Sequence, residues 1–129
     1  ASDKELEKTI TKIIGADDLK VHLSNDEVRK KAHLAAVFAN NFVNHLYDIS
    51  DQLLRHEGMD IQLLLPLISA QLEKIKEMNP HEAQTGPAAR GDYNTIREHL
   101  ALLEDQPALQ VIYSTITNSI IETFHGKKL

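Results

Sequence analysis

The sequence predicts an all-α fold, a helical bundle around one long central helix, and three observations carry that reading. Two capping boxes, Ser2-Asp3-Lys4-Glu5 and Ser24-Asn25-Asp26-Glu27, each open a run of apolar residues at helical spacing. No Gly or Pro interrupts the chain between Gly15 and Gly58. Aromatic residues are only 5% with no Trp, so the 42% hydrophobic content rests on Leu, Ile, Val and Ala, which suit helices better than a β-sandwich. A length of 129 residues fits one domain, or one domain with a short piece of a neighbouring one.

The first capping box leads into a helix over about 3–14, with Leu6, Ile10, Ile13 and Ile14 on one face and Gly15 as a stop. Leu19 to Leu23 then alternates apolar and polar residues, which reads as a short strand. No partner strand is evident, so residues 1–23 are expected to be the end of a sheet-containing domain whose remainder is absent.

Residues 24–129 form the helical domain proper. The second capping box opens a helix over about 25–57, roughly 50 Å long. A compact globule of this size measures only about 36 Å across, so the helix overhangs its own domain. Val28, Ala35, Phe38, Phe42, Leu46, Ile49 and Leu53 form its apolar stripe, widened by Ala36, Val43, Tyr47 and Leu54. Such a helix needs a partner surface, and a homodimer through it is the expectation. Asp60 is the expected N-cap of a third helix over 61–78, with Pro66 bending or breaking its first turn and a half. Residues 79–91, with two Pro and two Gly, read as an irregular loop. Asp92 caps a fourth helix carrying Ile96, Leu100 and Leu103, and Pro107 opens a fifth that ends at Gly126.

Several function classes fall away on composition. Fourteen basic against nineteen acidic residues leave a net charge of −5, which offers no basic face for nucleic acid. There is no Cys, hence no disulfide framework and no zinc-thiolate site. No apolar run approaches the roughly 20 residues that span a bilayer, and a cytoplasmic location is expected. The chain opens Ala-Ser-Asp-Lys without initiator Met or apolar leader, which reads as a processed chain or a fragment. Its 7 His contain no H-x-x-x-H pair, and neither G-x-G-x-x-G nor G-x-x-x-x-G-K-[ST] occurs. Neither a metal site nor a nucleotide cradle is expected within this chain.

Two places could carry chemistry. At 100° per residue, His33, Val37, Asn40, Asn44 and Asp51 fall in a row about 60° wide, opposite Phe38 and Phe42. Asn40-Asn41, with Asn44 and His45 behind, crowds amides into mid-helix, where Asn is disfavoured, so something outweighs propensity there. The row is either a set of hydrogen-bonding groups facing a cleft or a solvated helix face. The second place is Gln84-Thr85-Gly86-Pro87-Ala88-Ala89-Arg90-Gly91-Asp92. Glycine amides, the Thr85 hydroxyl and the Arg90 fork can together hold a carboxylate or phosphate. Alternatively, Pro and Gly only set the turn and Arg90 pairs with Asp92.

Four segments carry a resemblance: His33 to Phe42, Leu64-Leu65-Pro66-Leu67-Ile68, Gln84 to Asp92, and His99-Leu100-Ala101-Leu102-Leu103. Over about residues 24–125 they resemble the C-terminal helical domain, of unknown function, of bacterial Rossmann-like NADP-dependent oxidoreductases. The resemblance implies a domain similar to the C-terminal domains of 6-phosphogluconate dehydrogenase and pyrroline-5-carboxylate reductase, which pair as interlocked dimers and close the cleft over the nicotinamide. It implies NADP in the intact parent, none bound by this fragment alone, and a small, anionic substrate. His33 and Asn40 would then be catalytic, with Asn41, Asn44, Gln84, Thr85, Gly86 and Arg90 binding substrate. Many relatives place Lys and Asn four apart on the long helix. Here Ala36 and Val37 stand four before Asn40 and Asn41, and His33 is the nearest basic group. The rival expectation is a helical adaptor domain with no catalytic role, whose polar row faces solvent.

Overall fold

The computed structural model describes residues 25–126 together with Lys4, Glu5 and Lys8, which are helical. The strand expected over 19–23 and most of the helix expected over 3–14 lie outside the described residues. Every regular element among the described residues is helical, which matches the all-α expectation. The chain divides into two compact units, residues 1–65 and 66–129.

The first unit is built on one rod. Helix α1 (Asp26–Ala36) is capped by Asn25, whose side chain accepts from the Glu27 amide at 2.8 Å, rather than by Ser24 as the capping box suggested. Asp26 and Glu27 complement the dipole of its first turn and pair forward with Arg29 and Lys31. The helix passes without a break into a π-helical segment, Val37–Phe42, and then into α2 (Val43–Arg55). The expected long helix is therefore present, about 45 Å from Asp26 to Arg55. The π segment is the departure. Its i→i+5 bonds make wider turns, and it takes up roughly one extra residue, so positions beyond it lag by roughly 100°. It holds Asn40 and Asn41, the pair least suited to an α-helix interior.

After α2, Gly58 at φ +75° reverses the chain. Asp60 then caps a 3₁₀ turn, Ile61–Leu64, by accepting from the Gln62 amide at 2.9 Å. Asp51 locks this corner from the helix side. One of its oxygens accepts from the Ile61 amide at 2.8 Å and the other from Arg55 Nε at 2.6 Å. No residue from 25 to 65 is fully buried.

Helix α3 (Leu65–Glu77) follows the 3₁₀ turn, with Pro66 in its first turn, where a missing N–H costs nothing. The break expected at Pro66 is thus the junction between a 3₁₀ turn and an α-helix. Residues 79–91 are not irregular as expected, because they hold two single-turn helices, α4 (Pro80–Ala83) and α5 (Pro87–Arg90). Each starts with a proline whose fixed φ suits the first helical position, and Asn79 caps α4 by accepting from the Glu82 amide at 2.9 Å. Asp92 caps α6 (Tyr93–Leu102), and α7 (Pro107–His125) ends at Gly126, at φ +70°.

The core lies in the second unit. Ala88, Ile96 and Ile121 form its centre, with Leu100, Tyr113 and Ile120 packed around them. Ala88 is small enough to let the α5 turn sit close against α6 and α7. Ile96 and Ile121 are the largest side chains fully removed from water. Truncating either to Ala should cost about 2–5 kcal/mol of unfolding free energy in urea titrations. The same change at Leu102, 79% exposed, should cost less than about 0.5 kcal/mol.

Candidate functional site

The first group of candidates is set by the rod. His33 is half-buried in the last turn of α1, and its carbonyl shares the Val37 amide with that of Leu34. Asn40 and Asn41 are exposed within the π segment, and Asn44 is exposed in the first turn of α2. The row drawn with uniform 100° steps does not survive the π segment. The lag of roughly one residue keeps Asn40, Asn44 and Asp51 together but sets His33 roughly a quarter turn away from them. Asp51 is committed to the corner. The Arg55 hydrogen bond, and then the Ile61 amide, hold its carboxyl below the ordinary 3.8, and Asp51 in turn raises Arg55.

The second group lies around α5. Gly86 stands at φ +103° ahead of Pro87, and Gly91 at φ +69° after Arg90; a side chain would be strained at both. Both oxygens of Asp92 engage Thr95, one accepting from its amide at 3.2 Å and one from its hydroxyl at 2.7 Å. Those bonds hold the Asp92 carboxyl below 3.8, with smaller help from Arg90 and His99. Arg90 is only loosely paired, 4.0 Å from Asp92, and its side chain is 62% exposed. The Gln84 side chain donates through Nε2 to the Thr85 carbonyl at 3.0 Å, and both residues are exposed. His33, Asn40, Asn41 and Asn44 thus belong to the first unit, and Gln84, Thr85, Gly86 and Arg90 to the second.

Three histidines that the sequence did not single out as a group tie the second unit together. His81 stacks on Phe124 with ring centroids 4.6 Å apart and planes within 10°. His125 Nε2 donates to the Ala89 carbonyl at 2.8 Å, and His99 Nδ1 meets the Tyr113 hydroxyl at 2.8 Å. Burial pushes the Tyr113 hydroxyl above its ordinary 10.0, against a hydrogen bond to Thr117. Each tie joins α7 to an earlier element at a separation no local pattern encodes. The His81–Phe124 stack also walls a shallow cavity of about 290 Å³ lined by Gln84, Ser119 and Thr123. Among the described residues no cluster of three His, Asp or Glu could hold a metal, and no helix is long and apolar enough to cross a membrane.

Gly58, Gly86, Gly91 and Gly126 all serve helix ends or turns, and none belongs to a strand-turn-helix phosphate cradle.

Fold and motifs together define an all-α domain. The chain belongs to the family of the domain of unknown function DUF2520, which matches residues 1–120. It is similar to the crystal structure of a putative NADP oxidoreductase from Bacteroides fragilis, with 46% identity and a TM-score of 0.72. That match covers 74% of this chain and 37% of the other, so the chain spans well under half the length of that relative. No curated protein matches the chain. The resemblance read from the motifs is borne out.

Asp51 and Asp92 set an acid limit. Both carboxyls titrate lower in the folded chain than at their ordinary 3.8, so the unfolded chain binds more protons and stability falls with falling pH. Their contribution is complete above pH 3.8 and disappears as pH drops through the folded values. In urea titrations across pH 2–6, Asp51→Asn and Asp92→Asn should each flatten this slope. An unchanged slope in both would contradict these roles.

Proposed function

We propose that this chain is the helical dimerisation and substrate-cleft domain of an NADP-dependent oxidoreductase whose cofactor is bound elsewhere in the parent protein. The observation that carries the reading is the 46% identity to part of the Bacteroides fragilis protein. Its match over only 37% of that chain leaves room for a cofactor domain there. In this reading residues 1–23 are the end of that domain, residues 24–129 are the helical domain, and the parent works in the cytoplasm.

Two features support a cleft role. Asn40 and Asn41 sit in a π segment, a conformation concentrated at functional sites. Asn40 and Asn44 would bind polar parts of the substrate through their amides. Asn41 would add a further hydrogen-bonding edge. His33 would orient or protonate a carbonyl through its ring nitrogens. Arg90, exposed and weakly paired, is free to turn from Asp92 towards an anion. Gln84 and Thr85 would complete that contact, and Gly86 would let the backbone approach it. Pairing of two copies through the long helix would cover the apolar side of the rod.

The test is NADPH oxidation by the parent protein against a panel of small oxo acids. Arg90→Ala and Asn40→Ala should each lower kcat/KM by about 10–100-fold, the effect of one charge-assisted or one buried hydrogen bond. NADPH affinity should be unchanged. Turnover by this chain alone, or full activity in both variants, would contradict the proposal.

A further inference from the structure

Leu34, Phe38, Phe42 and Leu46 follow one another at four-residue steps, and Ile49 and Leu53 continue the series. On an unbroken α-helix every such step advances about 40° past a full turn, so the series would spread across roughly 120°. The π segment lies under the middle of it, at Val37–Phe42. By absorbing roughly one residue of drift, it draws the six positions back into a ridge roughly 60° wide. Asn40 and Asn44 then stand on the opposite side of the rod.

Four of its six side chains are widely exposed, while Leu46 and Ile49 are half-buried. Leu34 is 58% exposed, Phe38 61%, Phe42 51% and Leu53 40%. Phe38 and Phe42 nevertheless meet edge to face, with centroids 5.1 Å apart and planes at 81°. An aromatic pair held in its preferred geometry while half in water has the character of an interface anchor. The exposed parts of these four side chains amount to roughly 400 Å² per copy, about half of what each partner brings to a specific interface. Leu46 and Ile49 extend the apolar strip between them.

We propose that the π segment straightens this ridge so that a second copy of the chain docks on it, with Phe38 and Phe42 at the centre of the contact. The inference rests on the pairing proposed above and adds its anchor residues and the reason for the π segment. A straight ridge can meet its own copy across a two-fold axis, because such a contact is self-complementary. Docking there leaves Asn40 and Asn44 open to a ligand.

The experiment is sedimentation equilibrium of the 129-residue chain, with far-ultraviolet circular dichroism as the control for helix content. The wild type should be a dimer. Deleting Ala39 should remove the wide turn together with its extra residue, and so keep both the helix content and the ridge, whereas inserting one Ala after Ala39 should turn Phe42 onwards by about 100° and weaken pairing at least about 100-fold. The double variant Phe38→Ala, Phe42→Ala should weaken it comparably, whereas Leu102→Ser, exposed but off the ridge, should leave it unchanged. If the insertion and the double variant both pair like the wild type, the ridge assignment is wrong while the pairing stands. A wild type that stays monomeric overturns both.

Discussion

An apolar line that nothing in its own unit covers is the constraint from which the rest follows. A helix from Asp26 to Arg55 is long enough to form, but isolated helices in water are marginal, and their stability in proteins comes from docking an apolar face. In this unit that docking is incomplete, because every residue from 25 to 65 keeps some contact with solvent. Asp51, bridging Arg55 and the Ile61 amide, fixes where the rod stops but buries no apolar surface. In the proposed reading the missing burial comes from contact with a second copy. The π segment belongs to the same problem: a series spaced at four residues cannot stay on one face of an α-helix, and one wide turn corrects the drift.

The second unit solves its packing locally. Much of the Gln84 to Asp92 run is explained by backbone geometry: Gly86 and Gly91 at positive φ, Pro87 at a helix start, Ala88 in the core and Asp92 as a cap. Gln84, Thr85 and Arg90 stand exposed, and in the proposed reading the ligand chemistry of this run falls to their side chains. The histidine ties to α7 make the run a rigid presentation rather than a free loop.

Much of this was legible in the sequence, because caps are local chemistry. Asp60, Asp92, Pro107 and Gly126 each mark an element end from the residue itself and its near neighbours. Asn25 caps the helix although the capping box pointed to its neighbour, because adjacent residues of both types can cap. The π segment was not legible, since reading a helix face assumes uniform steps. The Asn40-Asn41 pair signalled that something outweighed propensity but not what. The short helices α4 and α5 were hidden by their proline and glycine content, which reads as loop although proline also starts helices. Pairings such as His81 with Phe124 and His125 with Ala89 depend on how α7 packs and leave no periodic trace. The identities of the candidate site residues came through the family resemblance, while their geometry came only from the structure.

The most direct measurement is amide hydrogen exchange across a range of protein concentrations. The account predicts that protection of residues 26–55 rises with concentration, because that rod is stabilised by contact between copies, while protection around Ile96 and Ile121 does not change. Strong, concentration-independent protection along the whole of 26–55 would mean that the rod is stable without a partner, and would contradict it.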